Sequence, residues 1–275
     1  MKVPFVKMQA LGNDFILLDC LGGKFPISSE FVRILCDRRK GVGADQLLVL
    51  MPSQRADYRM QIFNADGGEV EMCGNGIRCL ARYLLSRGLM GGEEQRIETR
   101  AGIIRPRVEG DLVMVDMGRP VLAGEQIPAK LTGRVVDREV TVGGSVQRIT
   151  CVSMGNPHCV IFVDDLERYP VAQIGPWIEK DKLFPNRVNV EFVKVVSPEM
   201  IEMRVWERGT GETMACGTGA CAAVVASCLN KKTGREVTVR LRGGELKVTW
   251  GDDDHVFMSG PADEVFEGEI DVERQ

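Results

Sequence analysis

The chain has 275 residues with a net charge of −4, and 44% of its residues are hydrophobic and 27% charged. This length can bury a core as one large domain or two medium ones. The charge gives no general attraction to nucleic acid or to anionic lipid. A membrane partner is not expected either, because no stretch approaches the roughly 18 apolar residues of a membrane span.

The cysteines and histidines indicate the compartment. Nine cysteines occur without a C-x-x-C pair, and His158 and His255 are the two histidines. The first residues lack the apolar region and cleavage site of a secretory signal. We therefore expect reduced thiols in the cytoplasm rather than a disulfide framework, and no metal site.

The first half of the chain predicts strands with two helices. Strand patterns cover 14–20, 45–51 and 58–64, strand pairs cover 95–118, and helix patterns cover 28–41 and 77–88. Ser28 suits the cap of the first helix. The stretch from about 120 to 147 contains Pro120, Pro128 and the Gly-rich "VGGSV", and it predicts a linker.

The second half repeats the first with an offset of 143 residues. The stretch "YRMQIFNADGGEVEMCGNG" (58–76) aligns without a gap with "IEMRVWERGTGETMACGTG" (201–219), including Cys73 with Cys216. A helix pattern over 220–234 follows, then strand pairs over 235–260. A gapless register with a shared Cys-Gly-x-Gly indicates two copies of one structural unit. The helix after each cysteine is apolar, and a curved sheet around it would enclose it.

Cys73 and Cys216 are each predicted at the start of a helix. Unpaired N–H groups and the helix dipole favour a thiolate there. The glycines that follow leave those N–H groups open to a ligand carboxylate. A single motif of this kind could be a tight turn, but a matched pair favours function.

Two thiols on opposite sides of one molecule can invert a carbon centre. One thiolate removes a proton, and the opposite thiol delivers one to the other face. A substrate carboxylate held at the helix starts would spread the charge of the carbanion, and the N–H dipoles would stabilise that charge.

Differences between the copies bear on the two thiols. His158 stands where the first copy has Phe15, Glu207 where it has Asn64, and Arg208 where it has Ala65. Ionisable groups in one copy suit a pair in which one cysteine starts as thiolate and the other as thiol. Arg208 could bind a second carboxylate. Amides at corresponding places suggest a polar pocket lining: Asn13, Gln46, Asn64, Asn156 and Asn189.

Several stretches closely resemble diaminopimelate epimerases, namely "ALGNDFILLD", "GVGADQLLVL", "NADGGEVEMCGNGIRCLARY", "SMGNPHCVIFV", "VNVEFV" and "VWERGTGETMACGTGACAA". The resemblance runs from Met8 to the tail. It implies an α/β (α+β) fold of two pseudo-symmetric domains, each a barrel-like, mostly antiparallel sheet around a central helix, with the site between them. Residues 1–118, completed by the tail 263–275, would form one domain, and 119–262 the other.

The resemblance also implies an activity and its residues. The family is cofactor-independent and interconverts LL- and meso-diaminopimelate for lysine and cell-wall precursor synthesis. It implies that Cys73 and Cys216 are catalytic and that His158 and Glu207 tune the thiols. The implied substrate contacts are Asn13, Gln46, Asn64, Gly74, Asn75, Asn156, Asn189, Glu207, Arg208, Gly217 and Thr218. Phe266 stands where the family often has a Tyr implicated in dimer contacts, so a homodimer is expected with Phe266 a candidate contact.

Three other interpretations stay open from the sequence. Proline racemase or hydroxyproline epimerase would share fold and chemistry, but usually carries His where Asn75 stands, and its ring substrate would not need Arg208. A Cys–His hydrolase using Cys216 and His158 would leave Cys73 and the repeat unexplained. A non-catalytic amino-acid binder would not need two thiols.

Overall fold

The computed structural model describes residues 2–23, 25–92, 94–142 and 144–271. The chain divides into two units: unit 1 is Met1–Val115 with Gly260–Gln275, and unit 2 is Asp116–Ser259. Both divisions lie a few residues before the domain boundaries expected from the sequence. Within the described ranges, the helices are too short or too polar to cross a membrane.

Strands make up most of the regular structure. In chain order the elements are β1 (Lys2–Ala10), β2 (Asn13–Asp19), α1 (Ser29–Cys36), β3 (Gln46–Met51), β4 (Tyr58–Asn64), β5 (Glu69–Val70), α2 (Gly74–Ser86), β6 (Ile97–Thr99), β7 (Gly102–Ile104), β8 (Arg107–Glu109), β9 (Leu112–Asp116), a 3₁₀ turn (Gly124–Gln126), β10 (Arg138–Val142), β11 (Ser145–Ser153), β12 (Pro157–Phe162), α3 (Val171–Glu179), β13 (Asn189–Ser197), β14 (Met200–Glu207), β15 (Gly211–Thr213), α4 (Gly217–Leu229), β16 (Glu236–Leu241), β17 (Gly244–Trp250), β18 (Val256–Gly260) and β19 (Asp263–Asp271).

Unit 1 is built on a sheet with the order β19-β1-β2-β3-β4-β6-β7, and β5 lies beside β4. The tail strand β19 pairs antiparallel with β1 and completes this sheet. Helix α2 packs against β1, β2, β3 and β19. Because β2 and β3 run parallel and β4 runs back, the start of β2, the start of β3 and the end of β4 lie at one edge. That edge carries Asn13, Gln46 and Asn64.

Unit 2 has the order β10-β11-β12-β13-β14-β16-β17-β18, with β15 beside β14. Helix α4 packs against β11, β12, β13, β14, β16 and β17. Its residues from Gly219 to Ser227 are all buried, as expected for a helix that is apolar on every side. Small side chains such as Ala220 and Ala223 allow the sheet to approach α4 closely.

The two units repeat each other in strand register. Helices α2 and α4 are related by the same offset of 143 residues at both ends. Phe15 pairs with Gln46 between β2 and β3, and His158 pairs with Asn189 between β12 and β13 at that same offset. The predicted fold class, two pseudo-symmetric α/β units with sheets around a central helix, is confirmed.

The linker predicted over 120–147 is wrong. Residues Arg138–Val142 form β10, which pairs antiparallel with β11, and Val135 and Val142 are buried in the core of unit 2. The pairing of β10 with β11 reaches Val142 and Ser145, and Gly144 takes a positive φ of 79°, which a glycine adopts without strain. A hairpin turn and a flexible linker share the same composition, which is why the sequence suggested the latter.

Candidate active site

Cys73 is the N-cap residue of α2 in unit 1. Its backbone is extended, with φ of −140°, and its sulfur accepts a hydrogen bond from the Gly76 N–H at 3.4 Å. The helix then begins with Gly74 and Asn75, as predicted. An N–H group aimed at sulfur favours a negative charge on it. Cys73 is partly exposed, so a small molecule can reach the thiol.

Unit 1 brings Asn13 and Asn75 to Cys73. The Asn75 Nδ2 donates to Asn13 Oδ1 at 3.1 Å, and the Cys73 sulfur lies 3.9 Å from the same oxygen. Gln46 and Asn64 form a second pair, in which Gln46 Nε2 donates to Asn64 Oδ1 at 2.8 Å. The Gln46 Oε1 is buried without a hydrogen-bond partner among the described residues. This acceptor suits an ammonium group.

A charged cluster that sequence reasoning missed holds Asn13 in place. The Asn13 Nδ2 donates to Asp45 Oδ2 at 2.8 Å, and Arg38 bridges Asp45 and Asp14. The buried Lys7 donates to Asp14 at 2.7 Å. Burial alone would raise the pKa of Asp14, but hydrogen bonds from Arg38 and Lys7 hold it well below the usual range.

Arg78 was also missed. Its side chain is fully buried in α2, where its Nη2 donates to Asn75 Oδ1 at 2.8 Å and its Nη1 to the Gly74 carbonyl at 3.2 Å. These bonds fix the first turn of α2, where Asn75 meets Asn13. The helical spacing between Asn75 and Arg78 was visible in the sequence, but Arg is rarely fully buried and nothing in the sequence marked Arg78 as an exception.

Cys216 is the N-cap residue of α4 in unit 2, and it is buried. Its sulfur lies 3.5 Å from the Thr218 hydroxyl. Burial raises the pKa of the Cys216 thiol well above its usual value, and the carboxylates of Glu207 and Glu191 raise it further. The prediction that a helix start favours thiolate is therefore wrong for Cys216, because desolvation and two carboxylates outweigh the dipole.

His158 lies in β12 beneath this helix start. It is fully buried, as is Glu191 of β13, and its Nδ1 lies 2.6 Å from Glu191 Oε1. Its Nε2 lies 2.9 Å from Asn156 Oδ1, and Asn156 Nδ2 donates to the Thr218 hydroxyl at 3.3 Å. The structure thus joins three predicted residues, His158, Asn156 and Thr218, with an unpredicted one, Glu191.

Glu207, Arg208 and Asn189 lie together at the end of β14. Asn189 accepts from the Arg208 backbone N–H at 2.8 Å and donates to the Pro157 carbonyl at 3.0 Å. Glu207 accepts from the Thr213 hydroxyl at 2.5 Å. Asn189 therefore holds β12 and the residue after β14 in place. The guanidinium of Arg208 is on the exposed surface and donates to the Asn186 carbonyl at 3.3 Å.

Glu179 fixes this segment from α3. Its carboxylate accepts from Trp206 Nε1 at 2.8 Å and from the Gly209 backbone N–H at 3.0 Å, so it holds both sides of the Glu207–Arg208 pair. Sequence reasoning missed Glu179 because it lies on a helix far away along the chain.

Solved structures share this fold. A phenazine biosynthesis protein of the PhzF family from Bacillus anthracis matches 99% of the chain and all of its own length with a TM-score of 0.72 at 20% identity. A probable proline racemase from Agrobacterium radiobacter matches 98% of the chain and 93% of its own length with a TM-score of 0.71 at 15% identity. The molecule thus has the duplicated α/β fold of these proteins, with a cysteine at the start of the central helix in each copy.

Sequence comparison gives the family. The family described as "Diaminopimelate epimerase" matches residues 5–123 and 150–265. The chain is 55% identical to the diaminopimelate epimerase of Pelotomaculum thermopropionicum, over 96% of this chain and 98% of that one. It is 53% identical to that of Moorella thermoacetica, over 98% and 99%. The chain belongs to the diaminopimelate epimerase family, which is a family of isomerases.

Proposed function

We propose that this protein interconverts LL- and meso-diaminopimelate by a two-base mechanism without a cofactor, as a step in lysine and peptidoglycan precursor synthesis. The observation that carries the proposal is the pair of cysteines, Cys73 and Cys216, at the N-caps of equivalent helices. Family membership supports the substrate, and the duplicated helix starts support the chemistry.

The two thiols serve the two faces of one α-carbon. Cys216, whose pKa is raised by burial and by Glu207 and Glu191, starts as the thiol and donates a proton. Cys73, whose sulfur accepts the Gly76 N–H, starts as the thiolate and removes one. Inversion needs one group that removes a proton and another that delivers one, so one cysteine starts as the thiolate and the other as the thiol.

The helix starts bind the reacting carboxylate. Gly74 and Asn75 open α2, and Gly217 and Thr218 open α4, and the unpaired N–H groups of a helix start attract an anion. Removal of the α-proton moves charge onto this carboxylate, so these dipoles stabilise the transition state more than the substrate. Gln46 Oε1, buried without a partner among the described residues, accepts from the substrate ammonium group.

The remaining site residues form the rest of the polar lining around the substrate. We assign substrate contacts to Asn13, Asn64, Asn156, Asn189 and Glu207, and the second carboxylate to Arg208. A guanidinium binds a carboxylate through two parallel hydrogen bonds, which gives both affinity and orientation.

Solvent deuterium tests the function directly. In deuterated buffer, LL-diaminopimelate is expected to gain deuterium at the α-carbon as meso product forms, because each thiol exchanges its proton with solvent. L-Proline, assayed alongside by mass spectrometry, should gain none. Exchange into proline but not into diaminopimelate would replace the proposal with proline racemase chemistry, and exchange into neither would remove the epimerase assignment.

Arg208→Met should weaken binding of diaminopimelate. Loss of a charge-assisted hydrogen-bond pair costs about 1.5–3 kcal/mol, so KM is expected to rise by about 10- to 100-fold. L-Lysine lacks the second carboxylate, so any α-proton exchange that the wild type catalyses on it should change little. The control is Arg168→Met, since the Arg168 side chain is 89% exposed. Equal losses on both substrates would show that Arg208 does not bind the second carboxylate.

We also propose a cytoplasmic homodimer. Two thiols that carry protons must stay reduced, which suits the cytoplasm. Strand β19 is the edge strand of its sheet. Its Val265 and Phe266 are 55% and 49% exposed, and the Phe266 ring also contacts Phe5 edge to face. A second copy would cover these apolar side chains.

Charge on this strand should separate the copies. Val265→Lys/Phe266→Lys is expected to sediment as a monomer where the wild type sediments as a dimer, because two lysines cannot be buried unpaired. Val146→Lys is the control, as Val146 is 64% exposed on unit 2. A wild-type monomer, or a dimer that survives the double substitution, would contradict this surface.

A further inference from the structure

A buried ionisable pair lies directly beneath Cys216. Glu191 and His158 are both fully buried, 2.6 Å apart. A Cβ placed on Gly219, in the first turn of α4, would lie 2.9 Å from Glu191 Oε1 and 3.3 Å from the Cys216 sulfur. The glycine therefore lets the carboxylate approach both the helix start and the thiol.

Unit 1 fills the equivalent place with hydrocarbon. A Cβ placed on Gly76 would lie 3.0 Å from Leu48 Cδ2 and 3.4 Å from Phe15 Cε1. The offset of 143 residues relates Phe15 to His158 and Leu48 to Glu191. The fold therefore packs well at this position with two apolar side chains. A buried ion pair adds little stability over such packing, so the polar pair in unit 2 calls for another explanation.

The hydrogen bonds from this pair lead to the sulfur. Both ring nitrogens of His158 face oxygen atoms, Nδ1 towards Glu191 Oε1 and Nε2 towards Asn156 Oδ1 at 2.9 Å. The Asn156 Nδ2 then donates to the Thr218 hydroxyl at 3.3 Å. The hydroxyl lies 3.5 Å from the Cys216 sulfur. An amide oxygen only accepts, so Nε2 must carry a proton.

We propose that Glu191 is a positioning residue: it shares a proton with His158 Nδ1, which fixes Nε2–H as a donor and directs the hydrogen bonds of Asn156 and Thr218 towards the Cys216 sulfur. Each group in the series accepts from one side and donates to the other. The Thr218 hydroxyl, having accepted from Asn156, has its own proton left for sulfur. The pair then holds two protons, one on Nε2 and one between Nδ1 and Glu191 Oε1. Beside a fully ionised Glu191 that shared no proton, a neutral imidazole would carry its single proton on Nδ1, and Nε2 could not donate to Asn156.

A donor at sulfur matters when Cys216 becomes a thiolate. Burial, Glu207 of β14 and Glu191 of β13 all raise the pKa of Cys216, while the hydrogen bond to Thr218 lowers it. The carboxyl of Glu191 adds less negative charge than it would alone, because it shares the proton of His158. The pair thus supplies direction to the hydrogen bonds while adding little net charge near Cys216.

Nitrogen NMR of the free enzyme tests the direction without substrate. The chain has two histidines, so ¹⁵N-histidine labelling gives two ring systems, and His255→Gln assigns them. His158 Nε2 is expected to carry a proton, as its hydrogen bond to Asn156 Oδ1 requires. An unprotonated Nε2 with the proton on Nδ1 would overturn the proposal.

A double variant that copies unit 1 tests the consequence. His158→Phe/Glu191→Leu is expected to unfold no earlier than the wild type, since its counterpart packs this way. If the proposed function holds, its kcat on diaminopimelate should fall by about 10- to 100-fold, the value of a hydrogen bond to a charged group, with KM little changed. The control is His255→Gln, which breaks the partly exposed His255–Asp116 pair and should keep wild-type kcat.

The outcomes separate the two proposals. A folded double variant with wild-type kcat would overturn the role of Glu191. If the double variant fails to fold, the NMR result alone decides. A wild-type enzyme that is inactive on diaminopimelate would contradict the proposed function, while the proton position on His158 would still be measured.

Discussion

Replacing either N-cap cysteine with serine should sharply lower kcat for epimerisation while leaving the fold intact. Serine is a preferred N-cap residue. In Cys73→Ser, the hydroxyl can accept the hydrogen bond that the Gly76 N–H now donates to the Cys73 sulfur. A hydroxyl is a far weaker acid than a thiol, so it neither removes nor delivers the α-proton. We expect kcat to fall by about 10²–10⁴-fold for Cys73→Ser and for Cys216→Ser, with thermal unfolding unchanged or slightly later.

Cys228→Ser is the matched control, because Cys228 lies near the end of α4 and is partly exposed. It should keep wild-type kcat. The measurement is conversion of LL- to meso-diaminopimelate by chiral chromatography, with circular dichroism to follow folding. A Cys73→Ser or Cys216→Ser protein that keeps more than about a tenth of kcat would show that the thiol is structural.

Asp14→Asn should lower the free energy of unfolding more than the cysteine substitutions or Asp111→Asn. Asp14 accepts from the buried Lys7 at 2.7 Å and from Arg38 at 2.6 and 2.9 Å. Removing the carboxylate leaves the Lys7 ammonium buried without its anion. Breaking such a buried pair costs about 3–5 kcal/mol, and we expect roughly 3 kcal/mol because Arg38 is more than half exposed. Activity should also fall, since Arg38 and Asp45 would no longer hold Asn13.

The pH dependence gives a second measure of the same residue. The pKa of folded Asp14 lies below its usual value of 3.8, so its stabilising contribution is complete above that pH and is lost as the pH falls towards the folded pKa. The free energy of unfolding, measured in urea, should therefore decrease more steeply below about pH 4 for the wild type than for Asp14→Asn.

Asp111→Asn is the exposed counterpart. The Asp111 side chain is 99% exposed and lies 3.3 Å from Arg82, and exposed pairs contribute about 0–1 kcal/mol. Its loss should change neither the unfolding free energy at pH 7 nor its acid dependence by a measurable amount. Similar effects of the Asp14 and Asp111 substitutions would show that the Lys7–Asp14 pair adds nothing.

The repeat made much of the fold predictable. Cys73 and Cys216 mark where the two central helices begin, and the pairing of β2 with β3 recurs at the shared offset in the pairing of β12 with β13. The linker was mispredicted because hairpin turns and linkers use the same residues. Such errors arise where composition is the only signal.

The candidate site could be predicted from the sequence where its residues follow the repeat, and not where residues meet only through folding. Lys7 of β1 and Arg38, which follows α1, both donate to Asp14. No local sequence pattern shows that these side chains meet. Glu191 is an exception, because comparison of the two copies could have identified it from the sequence. It differs in kind from its repeat partner Leu48, as His158 differs from Phe15. The comparison that selected His158 would also have selected Glu191.

The state of Cys216 could not be predicted from its helix start. The helix dipole acts within about one turn and is modest in size, while desolvation of a buried thiol and two nearby carboxylates act against it. The balance of these effects depends on how deeply the Cys216 thiol is buried, and that is known only once the sheet has folded around α4.

Duplication within one chain lets each copy change alone. In a symmetric pair of identical chains, a mutation beneath one helix start is inherited beneath both. Phe15 with Leu48 and His158 with Glu191 can coexist only where two copies have separate codons. The two copies keep one strand register, and at this buried position their side chains differ in chemistry. A chain with two joined copies can therefore place different side chains beneath its two N-cap cysteines.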